Sequence, residues 1–129
     1  MQIHEQELTV TKDHLDALNH VNNIEYVRWV QDIAAAHWDS KTTKNIRNTY
    51  YWVLLSQHIQ YKAEALLGDV LVLKTSVVKS GGVRSTRSVE IYNKNTGTLL
   101  TNSETIWCFI SYETNKPARI PEDIANLFS

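Results

Sequence analysis

The most regular pattern of apolar and polar positions lies between residues 22 and 39. Mostly apolar side chains recur there at intervals of three and four residues, which places them on one face of a helix. These positions are Tyr26, Val27, Val30, Ile33, Ala34, His37 and Trp38. The pattern predicts one long amphipathic helix, with Asn22 and Glu25 approximating a capping box at its start. Trp29 falls outside this face and is expected to pack against a partner subunit or the curl of a sheet.

The pattern changes to that of strands elsewhere in the chain. Residues 2–12 alternate loosely and predict an opening strand. From residue 50 onward, long runs of β-branched and aromatic residues are broken at Gly68-Asp69, at Gly81-Gly82 and within 93–97. These breaks contain turn-forming residues and are interpreted as hairpin connections of a meander. The four predicted strands cover about 50–63, 69–79, 83–93 and 98–112.

Five strands and one helix with a broad apolar face predict an α+β fold in which an antiparallel sheet wraps the helix. The length favours a single domain, 1–129. Residues 40–49 are almost entirely polar and are expected to form an exposed connection. Such a sheet leaves an edge or part of a face uncovered, so homodimerisation is expected.

Composition excludes several function classes. A net charge of −1 argues against generic nucleic-acid binding. No apolar run is long enough to cross a bilayer, and the first residues lack the features of a signal peptide. The single cysteine, Cys108, cannot form an internal disulfide and is expected to be a buried, unreactive thiol. We therefore expect a cytoplasmic protein with no nucleic-acid partner and no membrane insertion.

Polar chemistry is concentrated in residues 13–26, directly before the predicted helix. Carboxylates, imidazoles and side-chain amides lead there into a helix start, where backbone N–H groups are free and the dipole favours anions. A hydrolytic or acyl-transfer site would use such an environment. The residue type alone favours a turn-forming or capping role for Asp16.

The residues that follow Asp16 add a second argument for a functional role. Residues 16–26, Asp-Ala-Leu-Asn-His-Val-Asn-Asn-Ile-Glu-Tyr, resemble the motif of the hot-dog-fold acyl thioesterases. The similarity is to the 4-hydroxybenzoyl-CoA thioesterase-like group, the long-chain acyl-CoA thioesterases and the plant acyl-ACP thioesterases with their His-Val-Asn-Asn run. Residues 61–65 followed by Gly68-Asp69 resemble the family's second landmark. The resemblance covers residues 2–112 and implies a five-stranded hot-dog sheet around one helix, in homodimers or homotetramers with active sites between subunits.

The resemblance also implies roles for individual residues. Asp16 matches the nucleophile or general base of the 4-hydroxybenzoyl-CoA group, and Asn23 matches the residue whose backbone N–H polarises the thioester carbonyl. His20 either orients the attacking water or substrate or is a loop histidine bonded to backbone, and both interpretations stay open. Asn22 is interpreted as the cap. Leu18 stands where the acyl-ACP enzymes carry a functional asparagine, so that role is not transferred.

Three basic residues, Lys79, Arg84 and Arg87, flank the Gly81-Gly82 turn. The family often contacts the CoA nucleotide at this point, so these side chains are expected to bind its phosphates. Solvated strand faces explain the same charges equally well.

The sequence thus predicts a thioesterase that hydrolyses a fatty or aromatic acyl-CoA to the free acid and CoA, without a metal or an organic cofactor. His14, Asp16 and His20 match no compact zinc-binding spacing. The alternatives are an acyl-ACP thioesterase and a hot-dog protein that binds acyl-CoA without turnover. A dehydratase is disfavoured because the motif is that of the thioesterases.

Overall fold

The computed structural model describes residues 1–129. Its strands are β1 (His4–Thr9), β2 (Tyr50–Tyr61), β3 (Val70–Gly81), β4 (Arg84–Asn93), β5 (Leu99–Ser111) and β6 (Lys116–Pro117). Its helices are α1 (Asn23–Lys41), α2 (Lys44–Thr49) and α3 (Glu122–Asn126). All neighbouring strands are antiparallel, in the order β1-β3-β4-β5-β2, and the short β6 pairs with β5. The predicted α+β fold, a sheet around one long helix, is confirmed.

The core lies between α1 and one face of the sheet. Val30 and Ile33 of α1 are fully buried there, as are Val89 and Ile91 of β4. Buried positions alternate with more exposed ones along β4, which is the two-residue period of a strand with one face on the core. Trp29, predicted to lie off the apolar face, is also buried and packs edge-on against Tyr26 with ring centroids 5.3 Å apart.

The start of α1 is only half a capping box. The Asn22 side chain accepts a hydrogen bond from the backbone N–H of Ile24 at 3.2 Å, which confirms its role as the N-cap. The Glu25 carboxylate does not return to the cap, because it pairs with Arg28 one turn later at 3.3 Å. No helix is both long and apolar enough to span a membrane.

The predicted connection at 40–49 is largely exposed, as expected, but most of it is helical. α1 continues to Lys41, and α2 starts again after Thr43, whose side chain accepts a hydrogen bond from the Ile46 N–H at 3.2 Å. The Arg47 guanidinium donates to the carbonyl oxygens of Asp39 and Thr42 and so joins the two helices. The polar composition gave no indication of α2. Its Thr43 cap and the bridging Arg47 supply its local stability.

The predicted meander was also wrong in one respect. The turns at Gly81-Gly82 and 93–97 do join paired strands, and Gly82 and Gly97 have positive φ as such turns require. Gly68-Asp69 is not a hairpin, because β2 pairs with β5 at the far edge of the sheet and β3 pairs with β1. The chain therefore crosses the sheet between β2 and β3, which leaves β2 as an edge strand.

Candidate active site

The loop between β1 and α1 is closed by its own backbone. Leu15 and Val21 form an isolated antiparallel bridge, and the Asp16 N–H donates to the His20 carbonyl at 2.7 Å. The Asn19 N–H donates back to the Asp16 carbonyl at 3.0 Å. Asn19 has a φ of 61°, a left-handed conformation that asparagine tolerates better than most residues. The residue types of the motif thus fix a tight loop that presents Asp16 in one place.

The Asp16 carboxylate is held through one of its two oxygens. Oδ1 accepts hydrogen bonds from the backbone N–H groups of Leu18 at 2.9 Å and His20 at 3.1 Å. Oδ2 makes no hydrogen bond to the protein and the side chain is exposed. Hydrogen bonds from N–H groups hold a carboxylate in one orientation. One oxygen is therefore an anchor, and the other is available to a water molecule or a substrate.

Asn23 is the first residue of α1, so its backbone N–H has no carbonyl partner within the helix. The N–H groups of a first turn carry the positive end of the helix dipole and bind developing negative charge well. The next N–H, that of Ile24, is already taken by the Asn22 side chain. The donor left at this helix start is that of Asn23.

These groups line one cleft of about 630 Å³. Its walls come from the loop, the start of α1 and the segment after β2. The lining residues are Asp16, His20, Val21, Asn22, Asn23, Tyr26, Tyr61, Lys62, Ala63 and Glu64. The structure therefore brings the three predicted catalytic residues together with the second landmark, 61–65. An unbonded carboxylate oxygen and an unpaired helix N–H in one cleft can activate a nucleophile and stabilise an oxyanion.

Glu64 was missed as a site residue. Its Oε1 lies 3.5 Å from Nδ1 of His20, and both side chains are about half exposed, so the pair contributes little to stability. The contact instead keeps the imidazole beside Glu64 in the cleft. The sequence predicted no role for Glu64 itself, although its place in the second landmark, 61–65, was the available signal.

Tyr26 ties the second landmark to α1. Its buried hydroxyl accepts a hydrogen bond from the Ala65 N–H at 3.1 Å, and its ring meets the Tyr61 ring edge-on at 5.6 Å. Burial, more than any other cause, raises the pKa of Tyr26, so the hydroxyl stays neutral. One wall of the cleft is thereby fixed to the helix that forms the other.

The three basic residues predicted to bind CoA phosphates are not brought together. Lys79 and Arg84 are exposed on either side of the Gly81-Gly82 turn. Arg87 is buried on the inner face, where its Nη1 lies 2.8 Å from Nδ1 of His37, so it shares no surface with the other two.

This turn also lies far from Asp16 of the same chain. β3 begins beside the active-site loop, where Val70 pairs with Thr9, and runs to Gly81. At a rise of about 3.3 Å per residue, the two ends of β3 are roughly 36 Å apart. Within one chain, Lys79 and Arg84 therefore stand at the opposite end of the sheet from the cleft.

Metal-ligand geometry is lacking around the loop. No group of three or more His, Cys, Asp or Glu side chains is placed to hold a metal ion. His14, considered as a ligand from sequence, instead accepts a hydrogen bond from the Thr11 N–H through Nδ1 at 2.9 Å. Cys108 is buried, as predicted.

Comparison with known proteins agrees with this geometry. Residues 10–128 match the family described as the thioesterase-like superfamily. A palmitoyl-acyl carrier protein thioesterase of Cuphea hookeriana, from the chloroplast, is 26% identical over 86 residues, which are 67% of this chain and 21% of that enzyme. The chain thus spans about a fifth of the length of this curated relative.

Solved structures agree over nearly the whole chain. A 4-hydroxybenzoyl-CoA thioesterase mutant complexed with 4-hydroxybenzoyl-CoA superimposes with a TM-score of 0.89 at 13% identity, covering 100% of both chains. A hypothetical protein of Staphylococcus aureus in complex with CoA gives a TM-score of 0.87 at 22% identity, covering 98% of this chain and 81% of the other. At these identities the likeness concerns the fold, and it confirms the predicted hot-dog architecture.

Proposed function

Because the chain belongs to the thioesterase-like superfamily, we propose that it hydrolyses a fatty or aromatic acyl-CoA to the free acid and CoA. The observation that carries the proposal is the meeting of the Asp16 carboxylate and the unpaired Asn23 N–H in one cleft. Thioester hydrolysis needs a base or nucleophile at the carbonyl carbon and a donor at the developing oxyanion. The two groups are of these two kinds.

In the proposed reaction, the free Oδ2 of Asp16 either removes a proton from water or attacks the carbonyl carbon itself. The Asn23 N–H donates to the thioester oxygen as it gains negative charge. In the general-base route the water oxygen adds to the carbonyl carbon, the C–S bond breaks, and the CoA thiolate takes the proton that Asp16 removed. In the nucleophilic route the C–S bond breaks as the acyl group bonds to Asp16, and water then hydrolyses this anhydride to the free acid, restoring the Asp16 carboxylate and giving the thiolate its proton. The bonds from Leu18 and His20 to Oδ1 hold the carboxylate in place throughout.

We assign His20 a positioning role. Its backbone N–H supports Asp16, and its imidazole lies on Glu64 at the rim of the same cleft. From there the ring would orient the attacking water or the thioester. Because the ring pairs with Glu64 and not with the Asp16 carboxylate, we rank it second to Asp16 in the proposed chemistry.

The proposed working form is a homodimer or a homotetramer in the cytoplasm. β2 lies at the edge of the sheet, so its side away from β5 has no partner strand, and Val53 and Leu55 on it are 42% and 47% exposed. Free strand edges of this kind pair readily with a second copy. Within one chain, Lys79 and Arg84 are too far from Asp16 to bind the same CoA. In an assembly, these two residues of one subunit could bind the phosphates of CoA held at Asp16 of another.

A second candidate function is the hydrolysis of acyl-ACP. The similarity to the Cuphea enzyme favours it, whereas Leu18, at the position of that group's asparagine, weighs against it. Assaying one acyl chain on both carriers decides between them. The proposed enzyme releases thiol faster from CoA, and a reversed preference would make ACP the carrier.

The decisive test is Asp16→Asn, which keeps the loop's hydrogen-bond acceptor but removes the base. We expect kcat/KM for thiol release from an acyl-CoA to fall by about 10²- to 10⁴-fold, the usual contribution of a positioned base. Fold and oligomeric state should stay unchanged by circular dichroism and light scattering.

Two matched variants sharpen this test. Asp13→Asn removes an exposed carboxylate outside the cleft and should leave kcat/KM at the wild-type value. Glu64→Gln removes the other carboxylate of the cleft and should reduce activity far less than Asp16→Asn. A near-wild-type Asp16→Asn enzyme, or a larger loss in Glu64→Gln, would contradict the assigned mechanism. Binding of acyl-CoA with no thiol release across an acyl-chain screen would point to a non-catalytic binding protein.

A further inference from the structure

A second cavity lies under the C-terminal half of α1, away from the Asp16 cleft. It encloses about 300 Å³, at the lower end of the range for small-molecule pockets, and thirteen of its eighteen lining residues are hydrophobic. No residue lines both this cavity and the cleft. The buried side chains of α1 and the sheet lie between them, so the cavity is a separate space. Its aromatic walls include Trp38, Tyr50, Trp52, Trp107 and Phe128.

One cation is buried in this wall. Arg87 is only 7% exposed, and its Nη1 contacts Nδ1 of His37 at 2.8 Å and Oγ1 of Thr75 at 3.1 Å. No carboxylate forms an ion pair with it. The only acidic residue in the wall, Asp39, pairs with Arg47 at 3.9 Å. Arg87 therefore lacks a counter-charge in the chain.

His37 does not supply that counter-charge. Burial, and then the charge of Arg87, lower the pKa of His37 to about 4, so the ring is neutral near pH 7. Burial also lowers the pKa of Arg87, to about 10, which still leaves the guanidinium charged. Its Nε and Nη2 have no hydrogen-bond partner in the protein, although a guanidinium has five N–H donors. Neither nitrogen is fully buried, so both are open to a ligand in the cavity.

We propose that this cavity is a binding site for a small organic carboxylate with an apolar body. The carboxylate would lie on the free edge of Arg87, whose fork geometry matches two carboxylate oxygens. The apolar body would pack against Trp52, Trp107 and Phe128. Within one chain the site shares no residue with the thioester cleft, and the inference does not rest on the proposed hydrolysis.

The probes are 2-naphthoate and its uncharged isostere 2-naphthamide, titrated into the oligomer as purified and measured by calorimetry. We expect the carboxylate to bind about 10- to 100-fold more tightly than the amide, the difference that hydrogen bonds to a charged group provide. Equal affinities in the wild-type protein would overturn the proposal.

The four tryptophans locate the bound probe. Trp38, Trp52 and Trp107 line the cavity, whereas Trp29 packs beside Tyr26 and His14 near the loop. In protein labelled with 5-fluorotryptophan, 2-naphthoate should shift the three cavity resonances in ¹⁹F NMR and leave that of Trp29 in place. A shift confined to Trp29 would move the binding site to the other end of α1 and overturn the assignment.

Two variants separate charge from shape. Arg87→Met keeps an apolar stem without the charge and should bring naphthoate affinity down to that of the amide, with the amide unchanged. Ser85→Leu, which fills the cavity and retains Arg87, should weaken both probes together. A retained carboxylate preference in Arg87→Met would overturn the proposal. If Arg87→Met does not fold, unchanged binding of both probes to Ser85→Leu would overturn it instead.

Discussion

The two ends of α1 hold opposite kinds of site. At its start, an open polar cleft of about 630 Å³ carries the carboxylates of Asp16 and Glu64. Under its C-terminal half, an apolar cavity of about 300 Å³ carries the cation Arg87. The first end keeps its charges near water, and backbone N–H groups hold the Asp16 carboxylate. At the second end Arg87 is buried, and part of its guanidinium has no hydrogen-bond partner in the protein.

This difference suits the first end to a chemical reaction and the second end to the recognition of a ligand. A carboxylate that is anchored through one oxygen and open through the other can exchange protons with water, as hydrolysis requires. A cation inside an apolar wall cannot exchange freely with solvent, but it discriminates strongly between charged and neutral ligands. The helix dipole acts in the same sense at the first end, because its positive pole favours the oxyanion.

The largest effect expected from the enclosed end is an acid sensitivity due to His37. The folded protein holds this ring neutral with a pKa of about 4, against an ordinary value of 6.5. Because the unfolded chain binds the proton more readily, stability should be full above pH 6.5 and decline as pH falls to about 4. The loss has an upper limit of about 3 kcal/mol. Urea denaturation at several pH values measures it.

His37→Asn tests this origin of the acid sensitivity. An asparagine oxygen can accept from Arg87 in place of Nδ1 but does not titrate, so the slope between pH 6.5 and 4 should flatten. His58→Asn, at an exposed position on β2, should keep the wild-type slope. If the slope persisted in His37→Asn, His37 would not be the origin of the acid sensitivity.

A smaller effect is expected at the polar end from Tyr26→Phe. The change leaves the N–H of fully buried Ala65 without an acceptor, which should lower the free energy of unfolding by about 1–3 kcal/mol. The landmark wall of the cleft should also loosen, seen as faster hydrogen exchange at the Ala65 amide. Tyr61→Phe is the control, because the Tyr61 ring is 48% exposed and its hydroxyl has no protein partner. Equal losses in the two variants would remove the special role of the Tyr26 hydroxyl.

Local patterns predicted the polar end better than the enclosed one. The sequence predicted the features that depend on residues close in the chain, which are α1, its Asn22 cap and the turn at Gly81-Gly82. The place of β2 depends on its pairing with residues of β5 that lie forty or more positions later, and no local signal specifies it. Asp16, His20 and Asn23 were predicted to share a site because one short motif contains them.

The burial of Arg87 could have been predicted. It shares the two-residue period of β4 with Val89 and Ile91, and that alternation places it on the core face. Its closeness to the Gly81-Gly82 turn instead suggested a surface contact with phosphate. Glu64 was harder to find, because its contact with His20 joins residues forty-four positions apart in the chain.

The smallest expected effect asks whether the two ends meet across subunits. Lys79→Glu with Arg84→Glu should raise KM for an acyl-CoA roughly tenfold, as the loss of one or two exposed charge contacts would. KM for the matching pantetheine thioester, which lacks the nucleotide, should not change. Equal changes for both substrates would place the effect on the fold instead of on CoA.

Mixed dimers then decide which subunit supplies the charges. Combining Asp16→Asn chains with Lys79→Glu/Arg84→Glu chains creates, in each heterodimer, one intact Asp16 facing one intact partner turn if the turn acts across the interface. Such a preparation should recover turnover with the wild-type KM, although neither parent has it. If the turn served its own chain, every active Asp16 would still carry the reversed charges and KM would stay high. The roughly 36 Å between the two ends of β3 favours recovery, because one chain cannot bring both groups to the same CoA.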